Sequence, residues 1–200
     1  MTAISVIIPL LNKGPYIKRA IDSILTQEYQ NFEIIVVEGG SNDDGPDIVR
    51  SITDSRITLI NQPGKGVSEA RNFGVETSKG SLLAFLDADD EWLPRHLITL
   101  IKLMEKFPEA GAYTTAYKIC TKNGKLRWPR YRSIPPPPWE GLLPNYFSSA
   151  ARGEYPIWTS AVGIPKKIFE EMRGFPIDAW WGEDADLWGK IALKYPIAFS

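Results

Sequence analysis

The chain has 200 residues, 44% of them hydrophobic, which suffices for one α/β domain with a full core but not for two. Its 23 Lys and Arg residues nearly balance its 24 Asp and Glu residues, which argues against nucleic acid or an anionic membrane surface as a partner. The single cysteine, Cys120, cannot form a disulfide within the chain. We therefore expect one domain over residues 1–200, located in the cytoplasm or at the inner face of the membrane.

The first half of the chain alternates short apolar runs with stretches of helical periodicity, a pattern typical of a parallel sheet covered by helices. Strands are predicted at residues 4–10, 32–37, 57–60 and 82–86. Helices are predicted around residues 17–25, from Pro46, over 68–76 and from Pro94. A parallel sheet binds ligands outside the carboxyl ends of its strands, so the loops after Leu10, Val37 and Leu86 are the expected binding site.

The second half is less regular. We predict strands at 111–119 and 159–164, helices at 165–172 and 184–194, and a two-residue hairpin turn at Asn123-Gly124. Four prolines at 135–138 predict a stiff surface element. A strand-like run at 195–199 stops at Ser200, so we expect a C-terminally truncated piece, and we expect no membrane segment within it, since the apolar run at 4–11 is too short to span a bilayer.

Four acidic residues occupy five positions directly after the fourth predicted strand, namely Asp87, Asp89, Asp90 and Glu91. Like charges this close repel each other by about 1 kcal/mol per pair even in water, and a divalent metal would relieve that repulsion. Carboxylates suit Mg²⁺ or Mn²⁺, which complete their shells with water and phosphate oxygens. The alternative is that these acids only begin the following helix, where negative charge is favourable.

Two further polar groups are candidates. Glu38, with Gly39 and Gly40, follows the second strand and could accept hydrogen bonds from a base or ribose, although a polar turn before a helix is the simpler interpretation. Asp184 opens the last predicted helix, where an acid is usually a cap. If a metal-bound diphosphate lies near Asp89, Asp184 is the natural general base.

Several blocks of the sequence resemble, in the same order, the large second family of inverting glycosyltransferases. They are SVIIP at 5–9, SILTQ at 23–27, FEIIVV at 32–37, GVSEARNFG at 66–74, AFLDADDEWLP at 84–94, RGF at 173–175 and the Glu183-Asp184 pair. The resemblance implies a GT-A fold, that is, a Rossmann-like three-layer α/β/α sandwich with a mostly parallel central sheet. Residues 1–110 would form the nucleotide-sugar half and 111–200 the acceptor half.

The same resemblance implies a nucleoside diphosphate sugar as donor, a saccharide or lipid-linked acceptor, and Mn²⁺ or Mg²⁺ as cofactor, in the synthesis of envelope polysaccharides. It places Asp89 on the metal and Asp87 beside the donor ribose. Arg71 and the strand end at Pro9 and Leu11 would contact the nucleoside. Asp184 would be the general base, and attack opposite the leaving group would invert the anomeric centre without a covalent intermediate.

Two departures from the family pattern concern the nucleotide. The family usually has two adjacent aspartates where this chain has Glu38 and Gly39, and often a tyrosine where it has Leu11. The identity of the nucleotide is therefore open, and a nucleotide-binding or partner-binding module with little catalysis is the alternative.

Four other features favour ordinary structural roles. His96 is predicted to be a solvated helix residue. Trp180 and Trp181 are interpreted as packing residues, with stacking on a sugar as the alternative. The arginines at 127, 130 and 132, interleaved with aromatic residues, are interpreted as an ordinary basic loop, with binding of a phosphate-bearing or lipid-linked acceptor as the alternative.

Overall fold

The computed structural model describes residues 3–179 and 181–200. Its first half is a parallel sheet of four strands, β1 (Ile4–Leu10), β2 (Phe32–Glu38), β3 (Ile57–Asn61) and β4 (Leu82–Phe85), in the order β3-β2-β1-β4. In register, Ile7 of β1 lies between Ile35 of β2 and Phe85 of β4. All four predicted strands are confirmed. Strands β1, β2 and β4 are apolar runs typical of strands buried on both faces, and β3 is a partly exposed strand at the sheet edge.

The second half extends this sheet with β9 (Val162–Pro165), β5 (Ala112–Thr114), β10 (Ile197–Phe199) and β8 (Gly141–Leu142), in that order beyond β4. Strand β9 is antiparallel to both β4 and β5, and β8 is antiparallel to β10, whereas β10 and β5 are parallel. The sheet is therefore mostly parallel, as predicted, with an antiparallel strand inserted at its centre.

A small hairpin lies outside the main sheet. It pairs β6 (Ile119–Cys120) with β7 (Leu126–Arg127). The predicted hairpin is confirmed, but its loop spans residues 122–124 instead of two residues, because Thr121 and Lys125 close it and Gly124 takes the positive φ of 72°. The single strand predicted at 111–119 was wrong, because β5 ends at Thr114, where its partner β9 begins at Val162.

Seven helices are found in the described ranges. They are α1 (Gly14–Leu25), α2 (Gly45–Ser51), α3 (Val67–Thr77), α4 (His96–Lys106), α5 (Tyr146–Arg152), α6 (Lys166–Glu171) and α7 (Glu183–Lys194). A 3₁₀ turn (Thr159–Ala161) replaces the first part of the strand predicted at 159–164. The sequence interpretation had no counterpart of α5, which Asn145 caps by accepting from the Ser148 amide at 2.8 Å.

Each face of the sheet has its own hydrophobic core, so the molecule has three layers. One core packs Ile4 and Ile8 of β1 against Ile21 of α1 and Leu100 of α4. The other packs Ile7 of β1 against residues of α3, α6 and α7, with Trp188 of α7 almost fully buried. The alternation along β1 thus fills both cores.

The peripheral predictions have mixed outcomes. The prolines at 135–138 lie at the surface, as expected. His96 is not solvated: it is 8% exposed, stacked on Trp92 with ring centroids 4.4 Å apart, with Nδ1 3.2 Å from the Thr115 hydroxyl. The prediction failed because the start of α4 packs under the sheet edge instead of facing water. Over the described residues, every helix is too short or too polar to cross a bilayer.

Candidate active site

The loops after β1, β2 and β4 meet at one edge of the sheet, because the carboxyl ends of parallel strands lie together. The Asn12 amide donates to Ser41 Oγ at 3.0 Å, and the Gly14 amide donates to Asp43 at 2.7 Å, which ties the first loop to the second. Lys13 reaches the third loop, with Nζ 2.5 Å from Asp89 Oδ2. The three loops therefore form one continuous polar surface.

The acids after β4 are neutralised mainly by basic side chains of the chain itself. Asp87 pairs with Arg71 at 2.8 Å, Asp89 with Lys13 at 2.5 Å, and Glu91 lies 3.5 Å from Arg19. Basic side chains of the chain thus relieve part of the repulsion that a divalent ion was expected to relieve. A metal at Asp89 would instead compete with, or displace, the ammonium group of Lys13.

Asp90 differs from its neighbours because it is turned toward the interior. Burial raises the pKa of Asp90, and a hydrogen bond from Ser160 opposes that rise. Ser160 also accepts from the Asp87 amide at 3.1 Å, while its carbonyl accepts from Trp92 Nε1 at 2.6 Å. Ser160, which sequence reasoning missed, thus fixes the acidic loop to the second half of the chain.

Arg71 joins the two halves of the site. The residue is 4% exposed, and its guanidinium bonds Asp87 Oδ1 at 2.8 Å and Glu183 Oε1 at 3.0 Å. It lies over the Phe175 ring, 5.2 Å from the centroid, and its Nε is buried without a partner among the described residues. The structure therefore places Arg71 between two carboxylates, beneath the surface on which a nucleoside was expected.

Asp184 lies beside this bridge, in the first turn of α7 after Gly182, whose φ is 77°. One carboxylate oxygen accepts from the Ala185 amide at 2.7 Å, and the other is 3.5 Å from the Thr159 hydroxyl. Burial raises the pKa of Asp184, and Arg71 partly opposes the rise. A carboxyl group with a raised pKa is a stronger proton acceptor once ionised, as a general base requires.

Glu38 is engaged with its own loop. Its side chain, 7% exposed, accepts from the amides of Gly40, at 2.6 Å, and Ser41. The next residue, Gly39, faces Gln62, whose Oε1 would lie 3.2 Å from a Cβ at that position. Glu38 therefore shapes the loop instead of presenting a free carboxylate to a base.

Pro9 and Leu11 flank the end of β1. Pro9 pairs with Val37 in the sheet, whereas Leu11 is 52% exposed beside Gly39. Trp181, just before the proposed base in the chain, is 80% exposed, so it is not a core residue, and packing at an interface or on a sugar stays a prediction. Trp180 lies outside the described residues. The structure thus brings the expected residues to one edge in two groups, around Glu38 and around Asp87 to Asp184.

The donor set at this edge fits a hard divalent cation bound together with phosphate. Within residues 3–179 and 181–200, no three His, Cys, Asp or Glu side chains form a cage. Mg²⁺ and Mn²⁺ do not need one, because they bind one or two carboxylates and complete their shells with phosphate and water. The side chain of Asp89, 42% exposed, can supply such a ligand.

The mostly parallel sheet with helices on both faces is that of the GT-A fold, and solved structures share it. Staphylococcus aureus TarS 1–349 in complex with UDP-GlcNAc matches with a TM-score of 0.78 at 20% identity, covering 100% of this chain and 56% of that one. The mannosyltransferase PcManGT from Pyrobaculum calidifontis, in complex with GDP-Man and Mn²⁺, matches with a TM-score of 0.69 at 22% identity, covering 98% and 56%. The predicted GT-A fold is confirmed.

The family follows from sequence. The model of glycosyl transferase family 2 matches residues 5–169, and the chain belongs to that family. It is 30% identical over 202 residues to an uncharacterized glycosyltransferase of Rickettsia felis, covering 98% of the chain and 31% of that protein. It is 38% identical over 118 residues to the Escherichia coli UDP-Glc:alpha-D-GlcNAc-diphosphoundecaprenol beta-1,3-glucosyltransferase WfaP, covering 58% and 47%. The chain thus spans less than a third of its Rickettsia relative.

Proposed function

We propose that this chain is the catalytic domain of an inverting glycosyltransferase that uses a nucleoside diphosphate sugar. The observation that supports the proposal is the buried bridge from Asp87 through Arg71 to Glu183, because Glu183 directly precedes Asp184 in the chain. In this proposal, the bridge holds the proton acceptor and the cation-binding loop in one site.

In this proposal, residues 1–110 bind the donor. Asp89 would hold a Mn²⁺ or Mg²⁺ ion, which would supply positive charge to the diphosphate. Asp87 lies on the ribose side, and Pro9, Leu11 and Glu38 line the nucleoside region. The related structures support this arrangement, since one contains UDP-GlcNAc and another GDP-Man with Mn²⁺.

Residues 111–200 bind the acceptor and carry the base. Asp184 accepts the proton of the acceptor hydroxyl while its oxygen attacks the anomeric carbon from the side opposite the diphosphate. The carbon–oxygen bond to the diphosphate breaks, its electron pair leaves with the diphosphate, and the anomeric centre inverts. Lys13 and Arg19, which contact Asp89, are placed to stabilise the charge of the leaving group.

The alternative is a nucleotide-binding or partner-binding module of the same fold. Two observations favour it: Glu38 is bonded to its own loop, and the neighbouring Gly39 has no side chain with which to contact a base. In that case the chain would bind a nucleotide without turning over a donor.

Calorimetric titration with uridine, guanosine and other nucleoside diphosphates, with and without Mn²⁺, tests donor binding directly. We expect one nucleotide to bind clearly more tightly with the metal, and its sugar conjugate to be hydrolysed or transferred slowly. Binding without turnover across a panel of donors and acceptors would favour the module. Absence of all nucleotide binding would overturn the proposed transfer and leave only a partner-binding module.

A further inference from the structure

An aromatic pair with one exposed ring lies next to the proposed base. The ring of Trp158, which is 42% exposed, packs at a tilt of 33° against the half-buried ring of Tyr117, with centroids 5.7 Å apart. The following residue, Thr159, has its hydroxyl 3.5 Å from Asp184. An aromatic face is therefore open to solvent within a residue of the contact to the proposed general base.

This pair is held rigidly from behind. The Tyr117 hydroxyl donates to the carbonyl of Tyr155 at 2.9 Å, and its ring meets Tyr131 edge to face at 6.1 Å. Tyr131 in turn packs against Phe199 of β10, at 5.4 Å. These ring contacts thus connect Trp158 to the central sheet. Exposure of an aromatic face to water is unfavourable, and the apolar face of a sugar ring can cover it.

The segment that contains Tyr117 and Tyr131 is strongly basic, although the whole protein is nearly neutral. Residues 115–134 contain no acidic residue and six basic ones, which are Lys118, Lys122, Lys125, Arg127, Arg130 and Arg132. The acid packed against this segment is Glu154, directly before Tyr155. A concentration of positive charge in one segment attracts anions.

The charges of this segment are only partly balanced. Arg127 forms a two-pronged pair with Glu154, at 2.6 and 2.7 Å, which lowers the pKa of Glu154 to about 2. Glu154 also accepts from the Arg130 amide at 2.7 Å, while its own amide donates to the Arg130 carbonyl. The guanidinium of Arg130 is exposed and has no ion pair among the residues that the structure describes. An arginine side chain without a salt bridge in the described part of the chain is therefore anchored by its backbone beside Glu154, directly before Tyr131 of the aromatic cluster.

We propose that Trp158 and Arg130 form an acceptor subsite for a phosphate-bearing sugar. The sugar ring packs on Trp158, which places a hydroxyl near Asp184, and the phosphate is bound by Arg130 with Arg132 beside it. This inference rests on the proposed glycosyl transfer and names its acceptor class. A guanidinium recognises phosphate oxygens through paired, charge-assisted hydrogen bonds, which a neutral saccharide cannot make.

The same chemistry has two sources, a soluble sugar phosphate and a lipid-linked sugar diphosphate. Binding to the intact protein, followed by tryptophan fluorescence and ligand-observed NMR, can compare N-acetylglucosamine 1-phosphate, free N-acetylglucosamine, and a short-chain prenyl diphosphate carrying the same sugar. Tighter binding of the prenyl compound would assign the lipid-linked source, and equal binding the soluble one.

Three variants test the subsite. We expect Trp158→Ala to weaken binding of the sugar phosphate by about tenfold, and Trp158→Phe to change it much less. Arg130→Ala should weaken binding of the sugar phosphate by about tenfold or more but leave binding of the free sugar unchanged. Arg50→Ala is the matched control, since Arg50 is an exposed arginine paired with Asp47 on α2.

Nucleotide binding and donor hydrolysis, measured on the same variants, separate this inference from the proposed function. The subsite is supported if these properties stay at the wild-type level while sugar phosphate binding falls. It is overturned if the wild-type protein binds the phosphorylated and free sugars equally, or if Trp158→Ala and Arg130→Ala bind the sugar phosphate as the wild type does. Sugar phosphate binding without any donor turnover would refute the proposed function alone.

Discussion

The two halves of the site hold their carboxylates differently. In residues 1–110, three acids of the loop after β4 are each paired with a basic side chain: Asp87 with Arg71, Asp89 with Lys13, and Glu91 with Arg19. In residues 111–200, Asp184 is partly buried, and its bonds are to the Thr159 hydroxyl and the Ala185 amide. Acids of similar chemistry thus have opposite surroundings.

This difference suggests how one site assigns two tasks to carboxylates. A carboxylate beside a cation can exchange that partner for a metal and a diphosphate without being left with uncompensated charge. A carboxyl group in a less polar setting has a raised pKa and accepts a proton more readily. Arg71 lies between these two groups of carboxylates, because it pairs with Asp87 on one side and with Glu183, next to Asp184, on the other.

The largest effect is expected at the proposed base. Asp184→Asn should lower the rate of transfer by about 10²–10⁴-fold and leave nucleotide binding unchanged, because an amide cannot accept the proton. Asp186→Asn is the control, since Asp186 lies in the same helical turn but pairs with Lys190 at 2.5 Å. Steady-state kinetics and calorimetry on both variants measure the effect.

The pH dependence sharpens the same prediction. Because burial raises the pKa of Asp184, transfer by the wild-type protein should decline on acidification at a higher pH than an ordinary aspartate would impose. The residual rate of Asp184→Asn should lack this step. A wild-type rate in Asp184→Asn would exclude the residue as the base.

Substitution of Arg71 tests the ion-pair link between the two groups of carboxylates. Arg71→Met should lower the free energy of unfolding by about 3 kcal/mol, because it leaves Asp87 and Glu183 without their shared, buried cation. Urea denaturation measures this, and Arg50→Met at the surface should change stability by less than about 0.5 kcal/mol. A neutral result at Arg71 would mean that the two halves are held together by packing alone.

His96 tests the contact between the start of α4, in residues 1–110, and Thr115, in residues 111–200. Burial lowers its pKa to about 3, so the unfolded chain binds a proton that the folded chain does not between pH 6.5 and 3. The contribution of neutral His96 to the stability of the folded chain is complete above about pH 6.5 and is lost as the pH falls toward 3.

From pH 7 to pH 5, His96 should therefore cost the wild-type protein about 2 kcal/mol of unfolding free energy. Denaturation of wild type and His96→Gln at the two pH values isolates this contribution, because the other titrating groups are common to both. Equal pH dependence in the two proteins would contradict the buried, neutral state of His96.

A smaller effect is expected on the donor side. Asp89→Asn should weaken Mn²⁺-dependent nucleotide binding by about tenfold and leave metal-independent binding unchanged. Removing the metal with a chelator should reproduce the effect in the wild-type protein. Glu91→Gln is the matched control, since Glu91 lies two residues on and is also paired with a basic side chain. An equal loss in both variants would point to general electrostatics instead of a metal ligand.

Much of the donor half could be predicted from sequence because its signals are local. Runs such as Ile4–Leu10 and Phe32–Glu38 contain their own strand propensity, and the site loops follow them directly. The acceptor half could not be predicted to the same degree. Strand β9 is four residues long, and its place between β4 and β5 depends on partners about 50 and 80 residues away.

The strands and helices of residues 1–110, the acidic loop after β4 and the resemblance to a glycosyltransferase family could be read from the sequence, because these features depend on neighbours within a few residues. Which charges meet depends on the packing of the whole molecule. The partners of Asp87, Asp89 and Asp184, the burial of His96 and the position of Ser160 all join residues from distant parts of the chain. Such contacts depend on how the layers pack, which no local pattern contains.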